Sequence, residues 1–433
     1  MLKNVYLLGL LSLMIVATFL SAPSQSASTT RIKVVARVDR TLFKPASVET
    51  LGGKVLYTAE LAPIVVLEVP KEAVKALSRL PGILHWSLDG PVRALKGKPS
   101  SPPGRSKEQP PQEIPWGIDR INAPEAWTYT RGWVDVNGDG DSEIEVAVID
   151  TGVDRDHPDL AGNVKWCIAV LNGRISTRCD DRNGHGTHVS GTIAALDNEI
   201  GVVGAAPSVE LYIIKALNNA GYGTWSDLVI AIDLAVKGPD GVVDSDGDGI
   251  AIGDPDDDAP EVISMSLGGS SPPEEVYEVI VAAYSWNITI VAAAGNEGSE
   301  TPLYPAAYAE VIAVGAVDQN DQVPDWSNRN PELVAPGVEI LSTYPDDTYE
   351  TLSGTSMACP HVSGTVALIQ AARMIYGLPL LPPGNQEDLT ADSVRGVLHI
   401  TADEGGVEGY DPLYGYGIVR ADLAVKTAIG ASG

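Results

Sequence analysis

Asp150, His185 and Ser356 stand in three short motifs whose residue types could together carry out nucleophilic acyl transfer. Asp150 ends the apolar run Val148-Ile149 and is followed by Thr151 and a turn glycine, Gly152. His185 lies in Asn183-Gly184-His185-Gly186-Thr187-His188-Val189, at the opening of a helix-like stretch. Ser356 lies in Gly354-Thr355-Ser356-Met357-Ala358, where a second helix begins. A serine hydroxyl is a poor nucleophile until a base takes its proton. Imidazole titrates near neutrality, so it can take that proton and return it to a leaving amine. A buried carboxylate fixes the ring's tautomer and stabilises the imidazolium. A carbonyl under attack becomes an oxyanion and needs donors already in place. The N–H groups at the helix start near Ser356 can supply one. The side-chain amide of Asn296, in Ala294-Gly295-Asn296-Glu297-Gly298, can supply another.

Such residues, far apart in the chain, need a scaffold that gathers them. From Gln112 onward, β-rich runs at 144–149, 211–216, 262–265, 288–293 and 311–317 alternate with helical stretches such as 227–236 and 274–286. The alternation predicts an α/β domain: a parallel sheet with helices on both faces. Sites in such sheets collect at the carboxyl ends of strands, which is where Asp150 falls. Residues 31–95 read as a separate small α+β unit. It has strands at 32–38, 54–57 and 64–69, and a helix over 70–79 with Ala73, Val74 and Leu77 on one face. Residues 96–111 are rich in Pro, Ser, Lys and Gly, lack an apolar pattern, and read as a mobile linker.

Charge follows the same division. Residues 28–111 carry 14 Lys and Arg against 7 Asp and Glu, a net +7, whereas residues 112–433 carry 14 against 50, a net −36. The two parts should attract each other. The overall charge of −28 argues against a nucleic-acid partner, since phosphate backbones attract cationic surfaces. At the N-terminus, Lys3, the apolar run 5–20 and the small residues of 21–28 predict a secretory signal over 1–27. An uncleaved anchor is the alternative, but the run is short against the ~20 residues of a span. The expected product is extracellular, monomeric and free of the membrane once the signal is removed. Of three cysteines, Cys167 and Cys179 flank a turn-prone segment and either pair or remain free thiols, and Cys359 is left over and buried.

Two acidic loops predict cation binding. Asp244-Ser245-Asp246-Gly247-Asp248-Gly249-Ile250 alternates carboxylates and is followed by Asp254, Asp256, Asp257 and Asp258. Oxygen ligands at positions 1, 3 and 5 with Gly at 6 are what calcium loops use, with the carbonyl of position 7, Ile250, as a further ligand. Position 12 is Pro255, so the loop is not an EF-hand, and Asp254 and 256–258 are expected to complete the shell. Seven carboxylates within 15 residues repel one another unless cations lie between them. The segment Asp135, Asn137, Asp139, Asp141 repeats the pattern ahead of the Asp150 strand.

The four catalytic motifs, in the order Asp, His, Asn, Ser, resemble those of subtilisin-like serine proteases, from Gln112 to near the C-terminus. The resemblance implies a subtilisin-like α/β fold preceded by a ferredoxin-like propeptide. It assigns Asp150 to orienting the base, His185 to the base, Ser356 to the nucleophile and Asn296 to the oxyanion. His188 and His361 become packing residues. The stretches around Gly221, Tyr222 and Gly223 and around Ser266, Leu267 and Gly268 resemble the edge strands that pair with an extended peptide. The small apolar wall 292–295 implies an apolar P1 residue, with Leu303 deciding the pocket's depth. Gln112, Asp159, Asn198 and the carbonyls of Leu196, Ile200 and Val202 match the family's calcium site, which makes several Ca²⁺ ions the expected cofactors. The acidic insertion resembles that of calcium-rich archaeal subtilisins, which implies tolerance of heat. The implied organisation is a signal over 1–27, a propeptide over 28–95 that inhibits and assists folding, a linker over 96–111 and a catalytic domain over 112–433, with autocleavage after Leu95. The implied activity is endopeptidase action on proteins. Rival readings are an inactive calcium-stabilised binding module, a permanent accessory domain in place of the propeptide, and a dedicated processing enzyme in place of a broad protease.

Overall fold

A computed structural model describes residues 30–95 and 109–431. The expected signal and residues 96–108 of the expected linker lie outside the described residues. In the first part, strands Arg31–Val38, Lys54–Thr58, Ile64–Pro70 and Ile83–Leu88 form one antiparallel sheet. In chain order the sheet runs second, third, first, fourth, the ferredoxin-like order. The helix expected over 70–79 is instead a 3₁₀ helix, Lys71–Arg79. Pro70 is the last residue of the preceding strand, and the short element buries only Leu77 fully. A further strand, Pro91–Ala94, leaves this sheet altogether.

The larger part is built on eight strands, in the order Leu333–Pro336, Val311–Val317, Thr289–Ala293, Val262–Met265, Glu145–Asp150, Glu210–Lys215, Val164–Leu171, Arg174–Ser176. Every neighbouring pair is parallel except the last. The central strands are near-continuous in Val, Ile and Ala because both faces are covered. Helices His185–Ala194, Thr355–Ile375 and Ala421–Ala428 contribute to the apolar cluster on one face. Helices Trp225–Lys237 and Glu274–Ser285 contribute to the cluster on the other.

That second cluster also contains Val35, Ala59, Ala62, Ile64, Val66 and Val92, so the N-terminal unit is packed onto the two helices. Charge lines the same contact: Arg37 meets Glu278 at 2.7 Å, and the Nδ1 of His85 meets Glu275 at 2.9 Å. Asp233, fully buried, accepts hydrogen bonds from the Tyr57 hydroxyl and from the N–H groups of Glu60 and Leu61 at 2.6 to 2.9 Å. The expected linker ends early, because Pro111 bridges to Ile200 and Gln109 donates to the carbonyl of Asp347.

Candidate active site

Asp150 is the last residue of the central strand Glu145–Asp150, at its carboxyl end. Beside it the chain order reverses: strands added earlier lie on one side, later ones on the other. His185 is the first residue of helix His185–Ala194 and places Nδ1 at 2.8 and 2.9 Å from the two Asp150 oxygens. The Thr151 N–H donates to Asp150 Oδ1 at 2.6 Å. The cap residue Gly184 has φ 92°, a conformation that favours glycine, and a Cβ there would lie 2.2 Å from the Tyr344 ring.

Ser356 sits in the first turn of helix Thr355–Ile375. Pro360, four residues on, has no N–H, so the Ser356 carbonyl lacks its helical donor. The Ser266 hydroxyl takes the place at 2.9 Å. In return the Ser356 hydroxyl donates to the Ser266 carbonyl at 3.0 Å. Asp150, His185 and Ser356 are all fully buried. His185 Nε2 has no hydrogen-bond partner, so the serine is turned toward Ser266 rather than toward the imidazole.

The strand Pro91–Ala94 explains the burial. It lies between Tyr222–Thr224 and Leu267–Gly268 as the middle of a three-stranded antiparallel sheet. Arg93 pairs with both Tyr222 and Gly268, and Ala94 with Leu267. The Ala94 N–H donates to the Gly221 carbonyl at 2.9 Å, and that of Leu95 to Ser266 at 3.2 Å. All six expected peptide-binding residues therefore flank one extended segment. The Leu95 carbonyl accepts a hydrogen bond from Asn296 Nδ2. Asn296 is held in turn by Thr355, whose N–H and hydroxyl both donate to its Oδ1 at 2.9 Å. The Leu95 side chain is buried; Leu95 Cδ1 and Leu303 Cβ lie 3.4 and 3.2 Å from where a Cβ on Gly268 would stand. A side chain at 268 would therefore crowd the very pocket that holds Leu95.

A carboxylate, an imidazole, a serine and a side-chain amide meeting a backbone carbonyl constitute a peptide-bond site, and the comparisons agree. The subtilase family model matches residues 141–417. The chain belongs to the subtilase family. It is 36% identical over 375 residues to M-protease from Shouchella clausii, covering 86% of this chain and 82% of that protein. It is 38% identical over 317 residues to Subtilisin Savinase from Lederbergia lenta, covering 73% of this chain and all of that protein. It is 32% identical over 419 residues to Subtilisin amylosacchariticus from Bacillus subtilis subsp. amylosacchariticus, covering 94% of each. This subtilase is a serine endopeptidase, a hydrolase of protein substrates, with the mostly parallel sheet that its sequence pattern predicts.

The remaining histidines of the subtilase motifs are structural. His188 Nε2 meets the carbonyls of Ile340 and Glu350. His361 Nδ1 meets the Met357 carbonyl at 2.8 Å, while its Nε2 is buried without a partner. Burial pushes the His361 pKa down to about 4, below the ~6.5 of an exposed imidazole. The unfolded chain therefore takes up this proton first. The stability contributed is complete above about pH 6.5 and is lost as pH falls toward 4, a change of about 3 kcal/mol. Titrating the imidazole C–H resonance by NMR, assigned with His361→Gln, is expected to give a midpoint near 4; an ordinary midpoint near 6.5 contradicts the argument.

The cation loops are brought together in part. Gln112 Oε1 accepts from the N–H groups of Asn198 and Glu199, and Asp159 Oδ2 accepts from Val202, so these residues meet around loop 196–202. Asp159 Oδ1 is buried without a partner and Asp159 is fully buried. Asp244, Asp246 and Asp257 bring carboxylate oxygens within 4.8 Å of one another, and Asp257 Oδ2 is likewise buried and unpartnered. Loops 135–141 and 244–250 fold alike: the first Asp of each accepts from the glycines three and five residues on. Asp139 and Asp141 line a small polar cavity with Asp254, Asp257 and Asp258, a proximity that linear spacing does not reveal. Cys167 and Cys179 form a disulfide, and Cys359 is free and buried.

Sequence reading missed three side chains that hold the site. Thr355 orients Asn296. Lys215, almost fully buried, donates its ammonium to the Thr151 carbonyl. Asp181 accepts from both sides of the Asp150–His185 pair. The only signal in the sequence was position, with Asp181 four residues before His185 and Thr355 next to Ser356.

Proposed function

We propose that this subtilase is a secreted, calcium-stabilised enzyme made as a self-processing zymogen. Asp150, His185 and Ser356 form its triad, Asn296 is its oxyanion donor, and residues 28–95 are its propeptide. The observation that carries this reading is the Leu95 carbonyl on Asn296 Nδ2, at the end of a strand held between the two peptide-binding edges. A backbone placed this way is a substrate or product pose, with Leu95 as P1. Main-chain pairing on both sides tolerates varied sequences, which favours broad specificity with an apolar P1.

In the reaction, Ser356 turns from Ser266 toward His185, and Nε2 takes the hydroxyl proton as Oγ bonds to the Leu95 carbonyl carbon. Negative charge develops on the Leu95 oxygen against the Asn296 amide. The C–N bond to residue 96 then breaks as His185 gives its proton to the departing amine. Water, activated by the same imidazole, releases the acyl group from Ser356. The freed propeptide remains bound through its sheet and through Arg37, His85 and Tyr57, and inhibits until it is degraded. The disulfide supports export, because such bonds persist in oxidising compartments, and no helix among the described residues is long and apolar enough to cross a membrane. Calcium would be held by Gln112, Asp159, Asn198 and the 196–202 carbonyls, and by the loops at 135–141 and 244–258. The orphaned buried oxygens of Asp159 and Asp257 support that assignment.

N-terminal sequencing of the casein-hydrolysing enzyme tests the zymogen reading. The mature chain is expected to begin at residue 96, and a start upstream of Gly90 would end the proposal. Specificity gives a separate check. Leu303→Gly is expected to deepen the pocket and raise kcat/KM for P1 Phe relative to P1 Leu by about 10-fold or more, the scale set by a few methylenes of pocket space. An unchanged ratio in a peptide series would mean that Leu303 does not bound the P1 side chain.

A further inference from the structure

We propose that Asp181 is a positioning residue that holds His185 and Asp150 in register with each other, acting through Thr151. The proposal rests on the triad reading above. Asp181 is buried, and its carboxylate accepts five hydrogen bonds. Oδ1 takes the Thr151 hydroxyl at 3.0 Å and the N–H groups of Asn183 and Gly184 at 2.8 and 3.0 Å. Oδ2 takes the N–H and hydroxyl of Thr187 at 3.0 and 2.8 Å.

Those partners belong to two structures. Asn183 and the cap Gly184 lead into the helix that begins with His185, and Thr187 lies in its first turn. Its cap, Gly184, has no side chain to satisfy the open N–H groups, so Asp181 does so from outside the helix. Thr151 belongs to the other structure, the end of the Asp150 strand. Its N–H donates to Asp150 Oδ1, its hydroxyl accepts from the Gly186 N–H at 2.8 Å, and its carbonyl accepts from buried Lys215. Thr151 is thus gripped at its hydroxyl and carbonyl while its amide aligns the Asp150 carboxylate.

Asp181 itself is fixed from behind. Its N–H donates to the Val153 carbonyl at 3.1 Å, and the Val153 N–H donates to the Cys179 carbonyl at 3.3 Å. Cys179 is anchored by its disulfide to Cys167 on strand Val164–Leu171. A chain of short contacts therefore connects the disulfide, Asp181, Thr151 and the carboxylate–imidazole pair. Shifting that pair by about 1 Å is enough to cost about 10²-fold in rate.

The test uses the full-length chain, processed and assayed with calcium present, in four variants: Asp181→Asn, Thr151→Val, Thr151→Ser and the double variant Asp181→Asn/Thr151→Val. Thr151→Val leaves every charge in place and removes the two hydroxyl bonds, to Asp181 and from the Gly186 N–H. We expect Asp181→Asn and Thr151→Val each to lower kcat by about 10²-fold with KM unchanged. Thr151→Ser should recover most of what Thr151→Val loses. The double variant should lose little more than the worse single one, as members of one network do. The low-field NMR proton between His185 Nδ1 and Asp150 should move or broaden in both single variants. Folded variants with wild-type kcat overturn the proposal, and so does a kcat loss with an unmoved low-field proton or with losses that simply add. If Asp181→Asn does not fold, the Thr151→Val and Thr151→Ser pair still decides. Loss of activity in Ser356→Ala together with unaffected Asp181 and Thr151 variants rejects this proposal alone, whereas an active Ser356→Ala rejects the triad beneath it.

Discussion

Ser356→Ala is expected to lower turnover of protein substrates by about 10⁶-fold, the scale on which a triad works as a unit, and to leave the chain uncut after Leu95. The substitution removes one oxygen from a fully buried position. It opens a space smaller than a methyl group and removes a single bond to the Ser266 carbonyl, so the fold should be retained. Asn296 keeps its two bonds from Thr355 and can still polarise a carbonyl, which leaves a residual rate well below the wild type. Two readouts separate catalysis from folding. Casein hydrolysis measures the enzyme, and electrophoresis measures the chain, which should accumulate with its N-terminal unit attached. Wild-type enzyme added in trans should then release that unit. Hydrolysis by Ser356→Ala at the wild-type rate would falsify the assignment of the nucleophile. A serine-directed inhibitor should label wild type at Ser356 by mass mapping and leave the variant unlabelled.

The positions of the proposed triad were legible because each ends or begins an element with a strong local pattern. Val146, Val148 and Ile149 announce a buried strand, and a carboxylate directly after it has little reason to be there except function. The Gly-rich turns before His185 and Ser356 mark helix starts. Other elements carried no such signal. Helix Thr355–Ile375 is buried on every side through Ala372, so its Ala, Ser, Gly and Thr show no apolar stripe, and Pro360 reads as a helix breaker. The hairpin Ile340–Tyr344 and Thr348–Leu352 is rich in Ser, Thr and Tyr and looks like surface loop, although it packs over the His185 helix, where Ser342 and Thr343 donate to its carbonyls. Asp181 was hidden in Cys-Asp-Asp-Arg-Asn, which reads as solvated turn. Its role depends on Thr151, thirty residues earlier, arriving beside it. The acidic loops were legible by their spacing, but not their convergence, because adjacency of strands Glu145–Asp150 and Val262–Met265 brings the two loops to one end of the sheet.

Removing calcium is expected to unfold the processed enzyme at temperatures where the calcium-loaded form is fully native, with activity and melting midpoint falling together. Carboxylates supply the reason. The part beyond residue 111 carries a net −36, and folding concentrates much of that charge. Asp244, Asp246 and Asp257 converge within 4.8 Å, and Asp139 and Asp141 face Asp254 and Asp258 across one cavity. Without cations these groups repel one another, and burial plus the neighbouring carboxylates raise the pKa of Asp254 and Asp258. The unfolded chain spreads the same charges apart, so a cation that binds only the folded arrangement shifts the balance by mass action. A site filled at 1,000 times its dissociation constant contributes about 4 kcal/mol. Two such sites amount to about 8 kcal/mol, comparable with the ~5–15 kcal/mol that separates folded from unfolded domains. Melting belongs in the Ser356→Ala background with its N-terminal unit removed by wild-type enzyme in trans, where unfolded chains are not digested and the transition can be followed in both directions; activity is read on the wild type. Chelation should lower the midpoint, added Ca²⁺ should restore it, and Mg²⁺ should do so poorly because it demands a tighter octahedral shell. Asp159→Asn and Asp257→Asn should each reduce the calcium-dependent part while leaving the chelated midpoint nearly unchanged, since both remove a carboxylate that has a buried, unpartnered oxygen. A midpoint indifferent to chelation would leave those two oxygens as buried groups with no ligand and remove the basis for assigning metal to the acidic loops.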